Sequence, residues 1–104
     1  MFDITPKQLK ERLDAGDKVL VLDVREPFEW NIANLGGKLI PLGELSQRVG
    51  ELNPDEEIVV LCHHGVRSAH AVAFLRNQGF KKAFNIRGGI DRWSTEVDAS
   101  IPRY

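Results

Sequence analysis

The stretch "EIVVLCHHGVRSA", residues 57–69, joins an apolar strand to a polar loop that contains a glycine, and it decides the fold. Four aliphatic residues lead into Cys62, and the apolar run "SAHAVAFL" at 68–75 leads out of the loop. The first run is typical of a buried strand, and the second is typical of a helix that packs on a sheet. In parallel sheets, sites lie at the carboxyl ends of strands, so functional residues are expected at and just after Cys62.

The rest of the chain repeats this alternation of short apolar strands with amphipathic helices. Strands are predicted at 18–24, 37–42, 56–62 and 83–86. Helices are predicted at 5–17, 27–35, 43–52, 68–79 and 88–97. Strands linked by helices imply a mostly parallel sheet, and continuous apolar strands imply helices on both of its faces. The predicted fold is a single α/β domain over residues 1–104, with a sheet of about five strands.

Composition excludes several classes of function. A chain of 104 residues is about one domain, and 42% apolar with 28% charged residues is ordinary for a globular protein. The net charge of −1 argues against nucleic acid or an anionic membrane as the main partner. The N-terminus lacks an apolar signal core, and a single cysteine cannot form an internal disulfide. Both features favour the reducing cytoplasm as the location.

Cys62 is open to three interpretations on the residues alone. Free cysteine is often a buried structural thiol, but the polar residues that follow this one suit a loop rather than a continuing core. A metal centre needs three or four ligands, and the candidate atoms belong to Cys62, His63, His64 and His70. Their spacing is poor, because consecutive side chains at a strand end point in different directions. The third interpretation is a nucleophile.

A nucleophilic role explains more of the surrounding residues. The reactive form is the thiolate, so the loop must stabilise negative charge on sulfur. The helix expected to begin near Ser68 would direct its positive end at the loop, and Arg67 adds a permanent positive charge. Gly65 permits the backbone angles that a tight cradle requires. One short loop can therefore activate sulfur and bind an anionic group, and the nucleophile is the preferred interpretation.

Four motifs together resemble one known family. They are "LDVREPFEW" at 22–30, "IPLGEL" at 40–45, "CHHGVRS" at 62–68 and "RGGIDRW" at 87–93. In this order they resemble the rhodanese (sulfurtransferase) domain over essentially the whole chain. The finer resemblance is to the C-terminal rhodanese domain of E1-like adenylyltransferase–sulfurtransferase proteins, which serve molybdopterin or thiamine biosynthesis.

The resemblance implies transfer of a sulfane sulfur, from thiosulfate or a persulfide to a thiophilic acceptor, through a persulfide on Cys62. It implies a substrate-binding loop made of His63, His64, Gly65, Val66, Arg67 and Ser68. Asp23 and Arg25, two apart at a strand end, are expected to support that loop rather than to take part in the chemistry. No cofactor and no metal are expected. The expected partners are small sulfur donors and acceptors, or a ubiquitin-like sulfur-carrier protein.

Two alternatives accompany this hypothesis. Some domains of this family are binding modules, but those lose the cysteine, whereas Cys62 is present here in an intact loop. The related phosphatases and arsenate reductases have a wider loop, with five residues between the cysteine and the arginine. Only four residues separate Cys62 from Arg67, and the smaller cradle suits one sulfur atom attached to the cysteine.

Overall fold

The computed structural model describes residues 2–104, and within them five parallel strands form one sheet in the order β1-β5-β4-β2-β3. The strands are β1 (Asp3–Ile4), β2 (Leu20–Asp23), β3 (Lys38–Leu39), β4 (Ile58–Leu61) and β5 (Ala83–Ile86). The helices are α1 (Pro6–Asp14), α2 (Pro27–Ile32), α3 (Leu45–Arg48), α4 (Val66–Asn77) and α5 (Gly89–Glu96). The predicted parallel α/β fold is confirmed.

Strand β4 lies at the centre of the sheet and is buried on both faces. Ile58 and Val60 pack in the core layer that contains residues of α3 and α4. Val59 and Leu61 belong to the opposite layer, which contains residues of α1 and α5. Successive side chains of a strand point to opposite faces of the sheet, so the four consecutive apolar residues of β4 contribute to both core layers. The loop that follows β4 therefore starts from a strand that is fully buried at the centre of the sheet.

Helix α1 begins as the sequence predicts. The Thr5 hydroxyl accepts a hydrogen bond from the Gln8 amide at 3.1 Å, and the Gln8 side chain accepts one from the Thr5 amide at 2.9 Å. This reciprocal capping satisfies two amide groups that a helix start leaves unpaired. Pro6 occupies the first helical position, where its missing amide proton costs nothing.

Other element boundaries differ from prediction. The segment 43–52, predicted as one helix, is a single turn of α3 between two 3-10 turns at Leu42–Glu44 and Val49–Glu51. Gly43 and Gly50 lie in those turns and weaken a continuous helix. The strand predicted at 37–42 contains only Lys38–Leu39, since Pro41 cannot donate to a ladder. Strand β1, with two residues, is too short for any periodicity and was not predicted.

Two helices also have other limits than predicted. Helix α2 ends at Ile32 rather than at residue 35, because Ala33 is already extended. Helix α4 begins at Val66 rather than at 68, so Ser68 lies inside its first turn. Among the residues that the structure describes, none of the helices has the length and apolarity needed to cross a membrane.

A turn of two glycines brings α5 into contact with the loop after β4. Gly88 and Gly89 both have positive φ, at 79° and 64°. A Cβ atom on Gly89 would lie 2.4 Å from the carbonyl oxygens of both Cys62 and His63. A glycine is therefore required at position 89 for two reasons: its positive φ, and the close approach of another backbone segment.

The close approach makes the Gly89→Ala substitution a test of this contact, with Gly79→Ala as its matched control. Gly79 also has positive φ, at 94°, but a Cβ there would meet nothing within 4 Å. We expect Gly79→Ala to lower the free energy of unfolding by about 1–2 kcal/mol, through the backbone angle alone. Gly89→Ala should cost at least about 2 kcal/mol more, because the backbone must move. Urea unfolding measures the free energy of unfolding of both variants. Equal decreases in Gly79→Ala and Gly89→Ala would contradict the contact between α5 and the loop.

Candidate active site

Cys62 follows β4 directly, and its sulfur is almost completely buried, with 1% of the residue exposed. Its Sγ accepts a hydrogen bond from the backbone amide of Gly65 at 3.0 Å and lies 3.2 Å from the Ser68 hydroxyl oxygen. Gly65, with φ of 102°, turns the chain back into α4. The sulfur is thus surrounded by a backbone amide, a hydroxyl group and the start of α4.

The N-terminus of α5 holds the other side of the loop. The amide of Ile90 donates to the carbonyl of Cys62 at 2.9 Å, and the amide of Asp91 donates to the carbonyl of His63 at 3.1 Å. These amides belong to the first turn of a helix, where no intrahelical acceptor exists. The loop carbonyls therefore point towards α5, while the amide of Gly65 points at the sulfur.

Ser68 contacts the sulfur and does not cap α4, whose N-cap is Gly65. The prediction that the helix begins at Ser68 is wrong by two residues, and this shift directs the side chain inward. Ser68 is fully buried, and its hydroxyl donates to Oδ1 of Asn85 on β5 at 2.5 Å. Asn85 is itself buried and was not identified from the sequence.

Arg67 forms a two-point ion pair with Glu29 of α2. Its two terminal nitrogens lie 2.6 and 2.8 Å from the carboxylate oxygens. The hydrogen bonds from Arg67 lower the pKa of Glu29 from 4.5 to about 2, although burial opposes the shift. The phenol of Tyr104 also donates to Glu29, at 2.8 Å. Glu29 therefore ties the loop to α2, and the charge of Arg67 is already matched.

Asp23 and Arg25 form a second ion pair, which is buried. The Arg25 guanidinium binds both carboxylate oxygens of Asp23, at 2.9 and 2.7 Å, and neither residue is more than 1% exposed. Its remaining donors bind the Ala33 carbonyl at 2.6 Å, the Glu29 carbonyl at 3.3 Å and the Tyr104 hydroxyl at 2.8 Å. The structure thus places this pair beneath α2, linked to the cysteine loop through Glu29 and through Tyr104, whose ring stacks on His63.

The two histidines of the loop occupy different environments. The ring of His63 is stacked between His64, with centroids 3.8 Å apart, and Tyr104, at 3.9 Å. Burial, with a smaller contribution from His64, lowers the pKa of His63 below its usual 6.5. His64 and Val66 are exposed and form the outer rim of the loop.

A possible metal-binding group within the described residues differs from the one considered on sequence. His63, His64 and Asp91 bring ligand atoms to within 4.8 Å of one another. The two rings are stacked, so their faces rather than their nitrogen lone pairs meet, and Asp91 is paired with Arg103 at 2.9 Å. Cys62 and His70 are not part of the group.

Sequence reasoning missed three residues of this site: Glu29, Asn85 and Tyr104. Glu29 lies within the motif at 22–30, and Asn85 is the one polar residue of the strand "AFNI", so both carried a local signal. A polar residue in a buried strand needs a partner, which is reason to search for one. Tyr104 is 42 positions from Cys62 in sequence, and nothing in its surroundings predicts the contact with Glu29.

Comparison with known proteins agrees with this geometry. A family model described as the rhodanese-like domain matches residues 5–96. A probable adenylyltransferase/sulfurtransferase MoeZ of Mycobacterium tuberculosis is 38% identical over 97% of the chain. The chain spans only about a quarter of that relative, 26% of its length.

A shorter relative and a solved structure match along most of their own length. A sulfurtransferase of Allochromatium vinosum is 33% identical, over 88% of this chain and 87% of its own. The crystal structure of a rhodanese-related protein from Thermoplasma volcanium superposes with a TM-score of 0.85 at 37% identity. That match covers 93% of this chain and 94% of the other.

The ion pair of Glu29 predicts a specific dependence of stability on pH. Its folded pKa of about 2 lies below the ordinary 4.5, so the pair stabilises fully above pH 4.5 and the effect is lost as pH falls towards 2. Glu29→Gln should lower the free energy of unfolding at pH 7 by up to on the order of 3 kcal/mol.

The difference in the free energy of unfolding between wild type and Glu29→Gln should become smaller as the pH falls from 4.5 to 2. Urea unfolding at each pH measures it. Glu11→Gln, which removes the same charge from an exposed position on α1, is the control for the change in net charge. If the difference in the free energy of unfolding between wild type and Glu29→Gln stays constant down to pH 2, the stabilising role of the Glu29–Arg67 ion pair is contradicted.

Proposed function

Since this chain belongs to the family of rhodanese-like domains, we propose that it is a sulfurtransferase whose Cys62 carries the transferred sulfur as a persulfide. The observation that carries the proposal is the hydrogen bond from the Gly65 amide to Sγ at 3.0 Å, inside a loop of the length that fits one extra sulfur atom. An amide directed at sulfur stabilises developing negative charge there. A purely structural thiol needs no such donor.

The proposed reaction has two displacement steps. The Cys62 thiolate attacks the outer sulfur of the donor, an Sγ–S bond forms, and the donor's S–S bond breaks with its electron pair on the departing group. Thiosulfate would release sulfite, and a persulfide would release a thiolate. An acceptor nucleophile then attacks the terminal sulfur, and the electron pair of the Sγ–S bond returns to Cys62. This is ping-pong covalent catalysis, and it needs no external oxidant or reductant.

Access to the sulfur would be across the exposed rim. Cys62 is buried, whereas His64 and Val66 are exposed above it. A donor must therefore either insert its terminal sulfur into the loop or displace the rim residues. A thin, extended group such as a cysteine persulfide or the tail of a carrier protein suits such an entrance. We propose a sulfur-carrier or persulfide-bearing protein as the partner.

The charges around the loop favour a persulfide donor over thiosulfate. Thiosulfate is a dianion, and a site that binds it well needs an unmatched positive charge. Arg67 is paired with Glu29, Arg25 is paired with Asp23, and burial lowers the pKa of His63, which disfavours its charged form. A thiol that cycles through a persulfide also requires a compartment where free thiols persist, and the cytoplasm provides one.

Sulfur loading separates the enzyme from a binding module. We expect wild type, incubated with donor, to gain the mass of one sulfur atom by intact-protein mass spectrometry, and to lose it on addition of a thiol. Cys62→Ser should gain nothing and should have no measurable turnover, because the chain holds no other cysteine. A wild type that gains no sulfur from any donor would favour the binding module, and loading of Cys62→Ser would exclude the proposed covalent step.

Donor preference depends on the Arg67–Glu29 pair. At pH 7, wild type should show a higher kcat/KM with a persulfide donor than with thiosulfate. Glu29→Gln leaves Arg67 without a counter-charge, so kcat/KM for thiosulfate should rise about three- to fivefold, mainly through KM. Glu11→Gln again controls for net charge. Steady-state kinetics at two salt concentrations measure this effect. An unchanged kcat/KM for thiosulfate in Glu29→Gln would contradict this explanation of donor preference.

A further inference from the structure

The orientation of the Asn85 amide is fixed by its neighbours. Its Nδ2 group faces the carbonyl oxygen of Gly65 at 3.3 Å and a carboxylate oxygen of Asp3 at 3.4 Å. Both of these atoms only accept hydrogen bonds, so the NH₂ group must lie on their side. The Oδ1 atom therefore faces Ser68, and it can only accept.

This orientation decides where the Ser68 proton points. A serine hydroxyl has one proton, and here it is donated to Oδ1 of Asn85 at 2.5 Å. The Ser68 oxygen then presents lone pairs to Sγ of Cys62, 3.2 Å away. A thiol S–H can donate to that oxygen, whereas a thiolate would face it with no proton between the two atoms.

Ser68 can serve the thiolate only by turning its proton away from Asn85. That turn would leave Oδ1 of Asn85 buried without a donor, and a buried carbonyl without a donor is unfavourable. We infer that Asn85 is a positioning residue that holds Cys62 in the thiol form while the protein carries no sulfur. It acts through Ser68 and does not touch the reacting sulfur itself.

The inference deepens the proposed function, since it concerns the same sulfur and describes how its reactivity is restrained before a donor binds. Alkylation of Cys62 tests it independently, because alkylation reports the thiol whether or not the protein transfers sulfur. Cys62 is the only cysteine in the chain, so every alkylation event is assigned without further mapping.

The experiment is a double-mutant cycle of the alkylation rate with iodoacetamide at pH 7. Asn85→Leu preserves side-chain size and removes the acceptor, which frees the Ser68 proton to serve the thiolate. We expect it to react about fivefold faster than wild type, the ratio that one net hydrogen bond gives. In the Ser68→Ala background the same substitution should change the rate by less than about twofold, because the group through which Asn85 acts is absent.

The cycle distinguishes this role from a loss of support for the loop. Asn85→Leu also removes the hydrogen bond to the Gly65 carbonyl, and a loosened loop would expose Cys62 with or without Ser68. An acceleration that persists in the Ser68→Ala background would therefore overturn the inference, as would an unchanged or slower rate in Asn85→Leu itself.

A second measurement does not use Asn85→Leu, so it remains informative if that variant does not fold. The S–H stretching band of the single cysteine shifts to lower frequency when the thiol donates a hydrogen bond. The band of wild type should lie below that of Ser68→Ala, which removes the acceptor and leaves Asn85 in place. Identical bands in the two proteins would mean that the thiol does not donate to Ser68, and the inference would fall.

Discussion

The contact between the start of α5 and the loop after β4 is the constraint on which the site depends. The amides of Ile90 and Asp91 bind the carbonyls of Cys62 and His63, and the contact leaves no room for a side chain on Gly89. Once these carbonyls are engaged, the amide of Gly65 is directed at the sulfur. Two helix starts thus meet at one short loop with separate tasks, since α5 fixes its backbone and α4 faces the sulfur.

The two arginines of the site are both paired with carboxylates. Arg25 and Arg67 each bind a carboxylate at two points, and both carboxylates are buried. Removing one member of such a pair leaves an uncompensated charge, which makes these pairs sensitive to substitution even where they add little net stability. Arg25 also holds the end of α2, and so determines where Glu29 can meet Arg67.

The sequence predicts the position of the site better than its internal contacts. The parallel fold and the place of Cys62 follow from periodicity and from the rule that sites lie where strands end, and both depend on local sequence. The partners of the loop come from elsewhere: Glu29 from α2, Asn85 from β5 and Tyr104 from beyond α5. Hydrogen bonds between such distant segments produce no periodic pattern in the sequence. Arg67 illustrates the limit, because its charge could be read from the sequence whereas its partner, Glu29, could not.

The shortness of both edge strands has a consequence for behaviour at high concentration. Strands β1 and β3, at the two edges of the sheet, have two residues each, whereas the four-residue strands β2, β4 and β5 lie between them. Unpaired amides and carbonyls along an edge are templates on which another chain can add a strand, and two residues offer too few of them for stable pairing. Intermolecular sheet extension is therefore disfavoured in the native state. A crowded population of this domain should therefore be less prone to edge-to-edge aggregation than one whose sheet ends in long strands.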